Sequence, residues 1–154
     1  MRYISIVEYD EVNSDDFSIT LFCTHCEHKC KGCYSPCTWN AEAGEELTRE
    51  IKNDILNKLE TEIMIGNFVF LGGDPLSKLN RNETIEFAKE IKEKVPRINI
   101  WVYTGYDMDE IQDLDLSYFD YIKCGRYKEE LSCKGNVQYG IKLATSNQKI
   151  YKLK

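Results

Sequence analysis

The chain has 154 residues, of which 42% are hydrophobic and 30% charged, a balance that suits one globular domain over residues 1–154. The formal net charge of −6 disfavours nucleic acid as a partner, because a polyanion needs a positive surface. No apolar run reaches the roughly 18 residues of a membrane span, and the first residues contain no apolar signal region. We therefore expect a cytoplasmic protein without a membrane partner.

Hydrophobic patterning predicts strands and helices in alternation along the chain. Two short strands, at residues 2–10 and 17–22, precede a cysteine-rich loop over residues 23–44. The next apolar residues recur at every fourth position, which predicts one face of an amphipathic helix capped by Thr48. These residues are Leu47, Ile51, Ile55 and Leu59.

The second half of the chain continues the alternation. A continuous apolar run at residues 68–71 predicts a strand buried on both faces. A helix is predicted to begin after Asn80 or Asn82 and to end before Pro96. A strand at residues 98–103, a short helix near 108–114 and a strand at 118–124 are predicted to follow in that order.

Repeated strand–helix units predict parallel strands joined by right-handed crossovers. A closed eight-stranded barrel of such units takes about 200 residues or more. We therefore predict an α/β fold, specifically an open partial (β/α) barrel with parallel strands. Ligands bind beyond the carboxyl ends of such strands, where the cysteine-rich loop and the turn Gly72–Asp74 would both emerge. One site is expected to use both segments.

The cysteines carry the strongest chemical signal. Five of the seven lie between Cys23 and Cys37, and such clustering in a reducing compartment indicates metal binding rather than disulfides. Cys26, Cys30 and Cys33 place three thiolates on one tight loop. Four-iron clusters usually have four cysteine ligands, so three would leave one iron open to a substrate. We predict that these three cysteines hold a [4Fe–4S] cluster.

Two other interpretations of the loop remain open. The pairs Cys23–Cys26 and Cys30–Cys33 resemble a structural zinc site, but only three residues separate them, far fewer than in zinc ribbons. The run from Cys30 through Cys37 resembles part of a ferredoxin motif, but it lacks the terminal proline and a second run. His25 and His28 are interpreted as solvated loop residues, and Cys23 and Cys37 are not expected to be ligands.

Four segments, in order, resemble one family. They are CEHKCKGCYSPCTWN at residues 26–40, LGGDPL at 71–76, INIWVYTGY at 98–106 and SNQ at 146–148. The cysteine motif resembles the radical S-adenosylmethionine superfamily. The Thr-Trp pair and the WVYTGY segment resemble, more narrowly, the activating enzymes of anaerobic ribonucleoside-triphosphate reductase.

The resemblance implies a radical S-adenosylmethionine fold and an oxidoreductase reaction. The cluster would cleave S-adenosylmethionine to a 5′-deoxyadenosyl radical, which would form a glycyl radical on the large reductase subunit. A flavodoxin-like protein would donate the electron. The implied cluster ligands are Cys26, Cys30 and Cys33. The implied cofactor contacts are Gly32, Cys33 and Tyr34 beside the adenosine, and Gly72, Gly73 and Asp74 beside the methionine ammonium. Activation of a different glycyl-radical enzyme, or another small radical enzyme, remains an alternative.

Overall fold

The computed structural model describes residues 1–154, which form nine strands and two α-helices. In chain order these are β1 (Arg2–Asp10), β2 (Ser18–Cys23), β3 (Glu45–Glu46), α1 (Arg49–Thr61), β4 (Asn67–Gly72), α2 (Arg81–Lys94), β5 (Asn99–Tyr103), β6 (Tyr121–Cys124), β7 (Val137–Gln138), β8 (Ile141–Lys142) and β9 (Lys149–Lys152). The α/β class is therefore confirmed.

Seven strands form one open mixed sheet in the order β3-β1-β2-β4-β5-β6-β9, and β7 and β8 form a separate hairpin. The central strands β2, β4, β5 and β6 are parallel, whereas β1, β3 and β9 pair antiparallel. The prediction of parallel strands is thus correct only for the centre of the sheet. β1 runs antiparallel because residues 11–17 alone join it to β2, and a parallel crossover needs about a dozen residues or more.

The two long helices begin where the sequence predicts. The Thr48 hydroxyl caps α1 by accepting the N–H of Ile51 at 3.3 Å, which satisfies one of the free donors of the first turn. The second helix begins at Arg81, directly after Asn80. Neither helix has the length and apolar character needed to cross a bilayer.

The helix predicted near residues 108–114 is wrong, because only the 3₁₀ turn Met108–Glu110 forms there. Across this turn the Asp107 N–H donates to Glu110 Oε2 at 2.8 Å. A segment this short cannot offset the cost of nucleating an α-helix.

Both faces of the central strands are covered. The face toward α1 and α2 contributes, among others, Ile19, Leu21, Phe68, Phe70, Ile100 and Val102 to the larger core. The opposite face forms a smaller core with residues from β8 and β9 and the segment between them, consisting of Val69, Trp101, Tyr121, Ile141, Leu143 and Ile150. Burial on both faces explains why these strands read as continuous apolar runs.

The carboxyl ends of the central strands lie side by side at one end of the sheet. Cys23 of β2 pairs with Gly72 of β4, and Tyr103 of β5 pairs with Lys123 of β6. The loops that follow these strands therefore open onto the same space.

Candidate metal centre

A cavity of about 190 Å³ lies at the carboxyl ends of the central strands. Every central strand contributes to its wall through the loop that follows it. The lining includes Cys26, His28, Cys30 and Cys33 after β2, Gly72, Gly73 and Asp74 at the end of β4, Thr104 and Gly105 after β5, and Lys123, Gly125 and Arg126 at the end of β6. The structure thus brings the three predicted ligand cysteines and the Gly-Gly-Asp turn to one cavity.

The other cysteines and two predicted contacts lie elsewhere. Cys23 is fully buried in the protein, and Cys37 is exposed. Gly32 and Tyr34 do not line the cavity, and the Tyr34 side chain is 86% exposed. The Tyr34 ring does meet Tyr127 at 5.9 Å between centroids, and Tyr127 lines the cavity.

The thiols of Cys26, Cys30 and Cys33 are all free and partly exposed. The Ser35 N–H donates to Cys33 Sγ at 3.4 Å. Burial raises the pKa of Cys26, while backbone N–H groups of His28 and Lys29 oppose the rise. A bound metal would reverse the effect of burial, because a coordinated thiol is deprotonated.

The two glycines after β4 make room for the protein's own chain. A Cβ on Gly72, whose φ is +111°, would lie 2.6 Å from the Cys23 carbonyl oxygen, and one on Gly73 would lie 2.5 Å from that of His25. Contacts this short do not occur, so both positions require glycine where the cysteine loop crosses the strand end.

Asp74 is 1% exposed, so it is a buried carboxylate and not a solvated turn residue. Its Oδ1 accepts from the Leu76 N–H and the Thr104 hydroxyl, both at 2.9 Å. Its Oδ2 accepts from Gly105 N–H at 2.9 Å and faces His28 Nε2 at 2.7 Å. An ionised carboxylate has about four acceptor positions, and the protein fills them. Asp74 therefore joins the loops after β2, β4 and β5, while its contact with a ligand ammonium stays a prediction.

His28 is not the solvated residue that the sequence suggested. Its side chain is 4% exposed, because the cysteine loop folds back and carries the ring into the cavity wall. Besides the contact with Asp74, its Nδ1 receives the Arg126 Nε–H at 2.9 Å. His25 lies half-buried, and its ring makes no hydrogen bond.

Lys123 is a further residue that sequence reasoning missed. Its side chain lines the cavity, and its Nζ donates to the Gly125 carbonyl oxygen at 3.2 Å. Burial by the surrounding chain lowers the pKa of Lys123 to about 8, although the charge of Asp74 opposes the change. A single lysine in an apolar strand, at the carboxyl end that carries the site, is the signal that could have identified it.

Residues 12–150 match a protein family described as a 4Fe-4S single cluster domain. The chain is also similar to the anaerobic ribonucleoside-triphosphate reductase-activating protein of Enterobacteria phage T4, with 36% identity over 135 residues, 87% of this chain and 86% of that protein. The chain belongs to the family of these activating proteins. Its relatives from Haemophilus influenzae and Escherichia coli K12 are 33% and 30% identical over 158 aligned residues, which cover all of this chain and 99% and 100% of the relatives.

Family membership confirms the predicted iron–sulfur domain and disfavours the structural zinc interpretation. No group of three or more His, Cys, Asp or Glu side chains converges as the ligands of one metal ion would. In a four-iron cluster the cysteines bind different irons, so they need to border one cavity rather than one point. Three free thiols around a cavity, two of them approached by backbone N–H groups, have the donor chemistry that such a cluster requires.

Proposed function

We propose that this chain is a radical S-adenosylmethionine enzyme, one domain over residues 1–154 with an open partial (β/α) barrel, that activates an anaerobic ribonucleoside-triphosphate reductase. The observation that carries the proposal is the single cavity shared by Cys26, Cys30 and Cys33 with the turn Gly72–Asp74. Relatives named as activating proteins of this reductase support the identity of the protein substrate.

Cys26, Cys30 and Cys33 are the residues that would hold the cluster. Once bound and reduced, a cluster of this kind supplies the electron that breaks a C–S bond of S-adenosylmethionine, which gives methionine and a 5′-deoxyadenosyl radical able to take hydrogen from a glycine of the reductase. The residues of this chain bind and orient the reactants, since the cofactors carry the difficult chemistry.

The charges around the cavity suit the methionine end of S-adenosylmethionine, which carries an ammonium and a carboxylate. The buried carboxylate of Asp74 supplies negative charge at the Gly72–Asp74 turn, where the ammonium is proposed to bind. The ammonium of Lys123, at the end of β6, supplies positive charge for the carboxylate. Opposite charges at two points of one wall would fix the direction in which the ligand enters.

The adenosine side is proposed to lie along residues 32–34. The exposed ring of Tyr34 meets Tyr127, which lines the cavity. The Tyr34–Tyr127 pair offers an apolar aromatic surface of the kind on which a base can stack. Cys30 and Cys33 are partly exposed, so a flavodoxin-like donor can approach the cluster loop from outside.

The test is anaerobic reconstitution with iron and sulfide, followed by addition of a reductant and S-adenosylmethionine. We expect a brown protein with about four irons per chain that releases 5′-deoxyadenosine. Addition of the large reductase subunit from the same genome should then give a glycyl-radical doublet in the EPR spectrum. Formation of 5′-deoxyadenosine without that doublet would assign the chain to a different radical reaction, and absence of both would reject the proposal.

A further inference from the structure

The His28 imidazole lies where four chain segments meet. It belongs to the cysteine loop, two residues from Cys26 and two from Cys30. Its Nε2 contacts Asp74 at the end of β4, and its Nδ1 contacts Arg126, which follows β6. The segment after β5 supplies Gly105 and Tyr106, as described next. No step of the proposed reaction uses this histidine.

Residues 104–106 form the surface against which the imidazole ring packs. A Cβ on Gly105 would lie 2.5 Å from His28 Cδ2, so a side chain at position 105 would displace the imidazole. The Tyr106 ring meets it edge-on, with 4.5 Å between centroids and 73° between planes. The neighbouring Thr104 hydroxyl binds the same Asp74 carboxylate that His28 contacts. Residues 104–106 therefore hold both the imidazole ring and Asp74, its hydrogen-bond partner.

The partners fix which nitrogen carries the proton. A guanidinium can only donate hydrogen bonds, so the Nδ1 that faces Arg126 is an acceptor and holds no proton. The proton is on Nε2, which donates it to Asp74. Glu110 holds Arg126 in turn through a contact of 3.1 Å to Nη2. With both nitrogens engaged, His28 has no free lone pair for a metal.

Few backbone hydrogen bonds fix the shape of residues 26–33. The hydrogen bond from Cys33 N–H to the Cys30 carbonyl oxygen, at 3.1 Å, is the only backbone–backbone bond within residues 26–33. Lys29, at the centre of this segment, has a left-handed φ of 48°, a conformation that non-glycine residues rarely adopt. Ordering this loop costs conformational entropy. The contacts of a side chain halfway between two ligand cysteines help to offset that cost.

We infer that His28 is a positioning residue, whose imidazole anchors the cysteine loop to the sheet and sets the placement of Cys26 and Cys30 before the cluster binds. The inference rests on the proposed cluster site. It also gives a role to residues 104–106, since they hold the anchor. Partners that orient metal ligands commonly change metal affinity about 10- to 100-fold when they are removed.

The test compares the rates at which a strong iron chelator strips the reconstituted protein. His28→Ala should lose iron about 10- to 100-fold faster than the wild type. His28→Gln should recover most of the difference, because its amide N–H can reach Asp74. His25→Asn is the matched control in the same loop and should behave as the wild type, since asparagine tolerates the φ of 70° at that position. Equal rates for His28→Ala and the wild type would overturn the inference.

Two measurements separate anchoring from general stability. Ile98→Ala removes a buried core side chain near the amino end of β5 and should lower the unfolding temperature without accelerating iron loss. Long-range ¹H–¹⁵N NMR of the wild type should show a proton on Nε2 and none on Nδ1 of His28, and the opposite tautomer would contradict the anchor even if His28→Ala failed to fold. Failure of the wild type to bind a four-iron cluster would reject the proposed function instead, and the NMR result would remain informative.

Discussion

Gly73 and His25 are in direct backbone contact where the cysteine loop crosses the end of β4. The space that a Cβ on Gly73 would occupy lies 2.5 Å from the His25 carbonyl oxygen, and the same oxygen accepts the Asp74 N–H at 2.8 Å. The cysteine loop is therefore positioned by the backbone of the glycine turn as well as by side chains.

Gly73→Ala should push the cysteine loop away from β4, because the obstacle is backbone rather than a flexible side chain. We expect a loss of about 1–3 kcal/mol in unfolding free energy together with a clear loss of bound iron. Urea unfolding and iron analysis measure the two effects. Gly135→Ala is the control, since nothing lies within 4 Å of a Cβ at that position, and equal behaviour of the two variants would contradict the close contact.

Substitution of any one ligand cysteine should abolish stable binding of the cluster. With Cys26, Cys30 or Cys33 changed to alanine, only two thiolates of the predicted set remain, and iron and sulfide content should fall far below that of the wild type. Cys37→Ala should keep its iron, because this exposed thiol lies outside the cavity. Comparable iron loss from Cys37→Ala would revive the ferredoxin-like interpretation.

Asp74→Ala should damage both the cofactor site and the fold. The contact with the methionine ammonium that the family resemblance implies would lead us to expect weaker S-adenosylmethionine binding, with the cluster unaffected. The structure adds four donors around a buried carboxylate that would lose their acceptor, and each group left unsatisfied in the interior costs about 1–3 kcal/mol. We expect urea unfolding to show a loss of at least about 3 kcal/mol, with faster iron loss. Thr104→Val removes only one of these donors and should show a smaller loss. If Asp74→Ala were as stable as the wild type, the structural role of Asp74 would be contradicted and only its predicted ligand-binding role would remain.

Lys123 should give the unfolding free energy a specific pH dependence. Its pKa is about 8 in the folded protein against 10.5 for the ordinary lysine value, so between these two pH values the unfolded chain binds more protons. Stability attributable to Lys123 should therefore rise from about pH 8 to 10.5 and stay low below pH 8. Lys123→Met should be more stable than the wild type at pH 7, by about 1–3 kcal/mol, and the difference should shrink toward pH 10. Parallel stability profiles for the two proteins would contradict the lowered pKa.

The parts of the structure that sequence predicted are those governed by local pattern. The fourfold spacing of apolar residues and the Thr48 cap specify α1, and the run at residues 68–71 specifies a buried strand. The direction of β1 follows from its short connection to β2 and not from its apolar pattern, and β7 and β8 have two residues each, too few to show a period. The position of β9 depends on its pairing with β6, which lies well before it in the chain.

The same distinction applies to the site. The spacing of Cys26, Cys30 and Cys33 is a local feature, so a cluster loop can be predicted from it without the fold. His28 has no local signal, because its partners Asp74 and Arg126 are 46 and 98 residues away in the chain. Lys123 becomes a site residue because the carboxyl end of β6 lies at the same end of the sheet as that of β2. When folding brings residues from distant parts of the chain into one site, their role can be recognised only from the structure.

An open sheet has two free edges, and each could pair with a strand of another molecule. At one edge the exposed, acidic residues Glu45 and Glu46 of β3 pair only with Arg2 and Tyr3, so residues 4–10 of β1 form the rest of that edge. At the other edge the four residues of β9 begin with Lys149 and end with Lys152, which are also exposed. Short length and surface charge are the features that protect natural edges from aggregation. Along β1 the pairing is interrupted between Tyr3 and Ser5 and again between Val7 and Asp10, and such irregularities also disfavour pairing with a foreign strand. The sheet can therefore remain unclosed without either edge offering a long, regular and uncharged strand to another molecule.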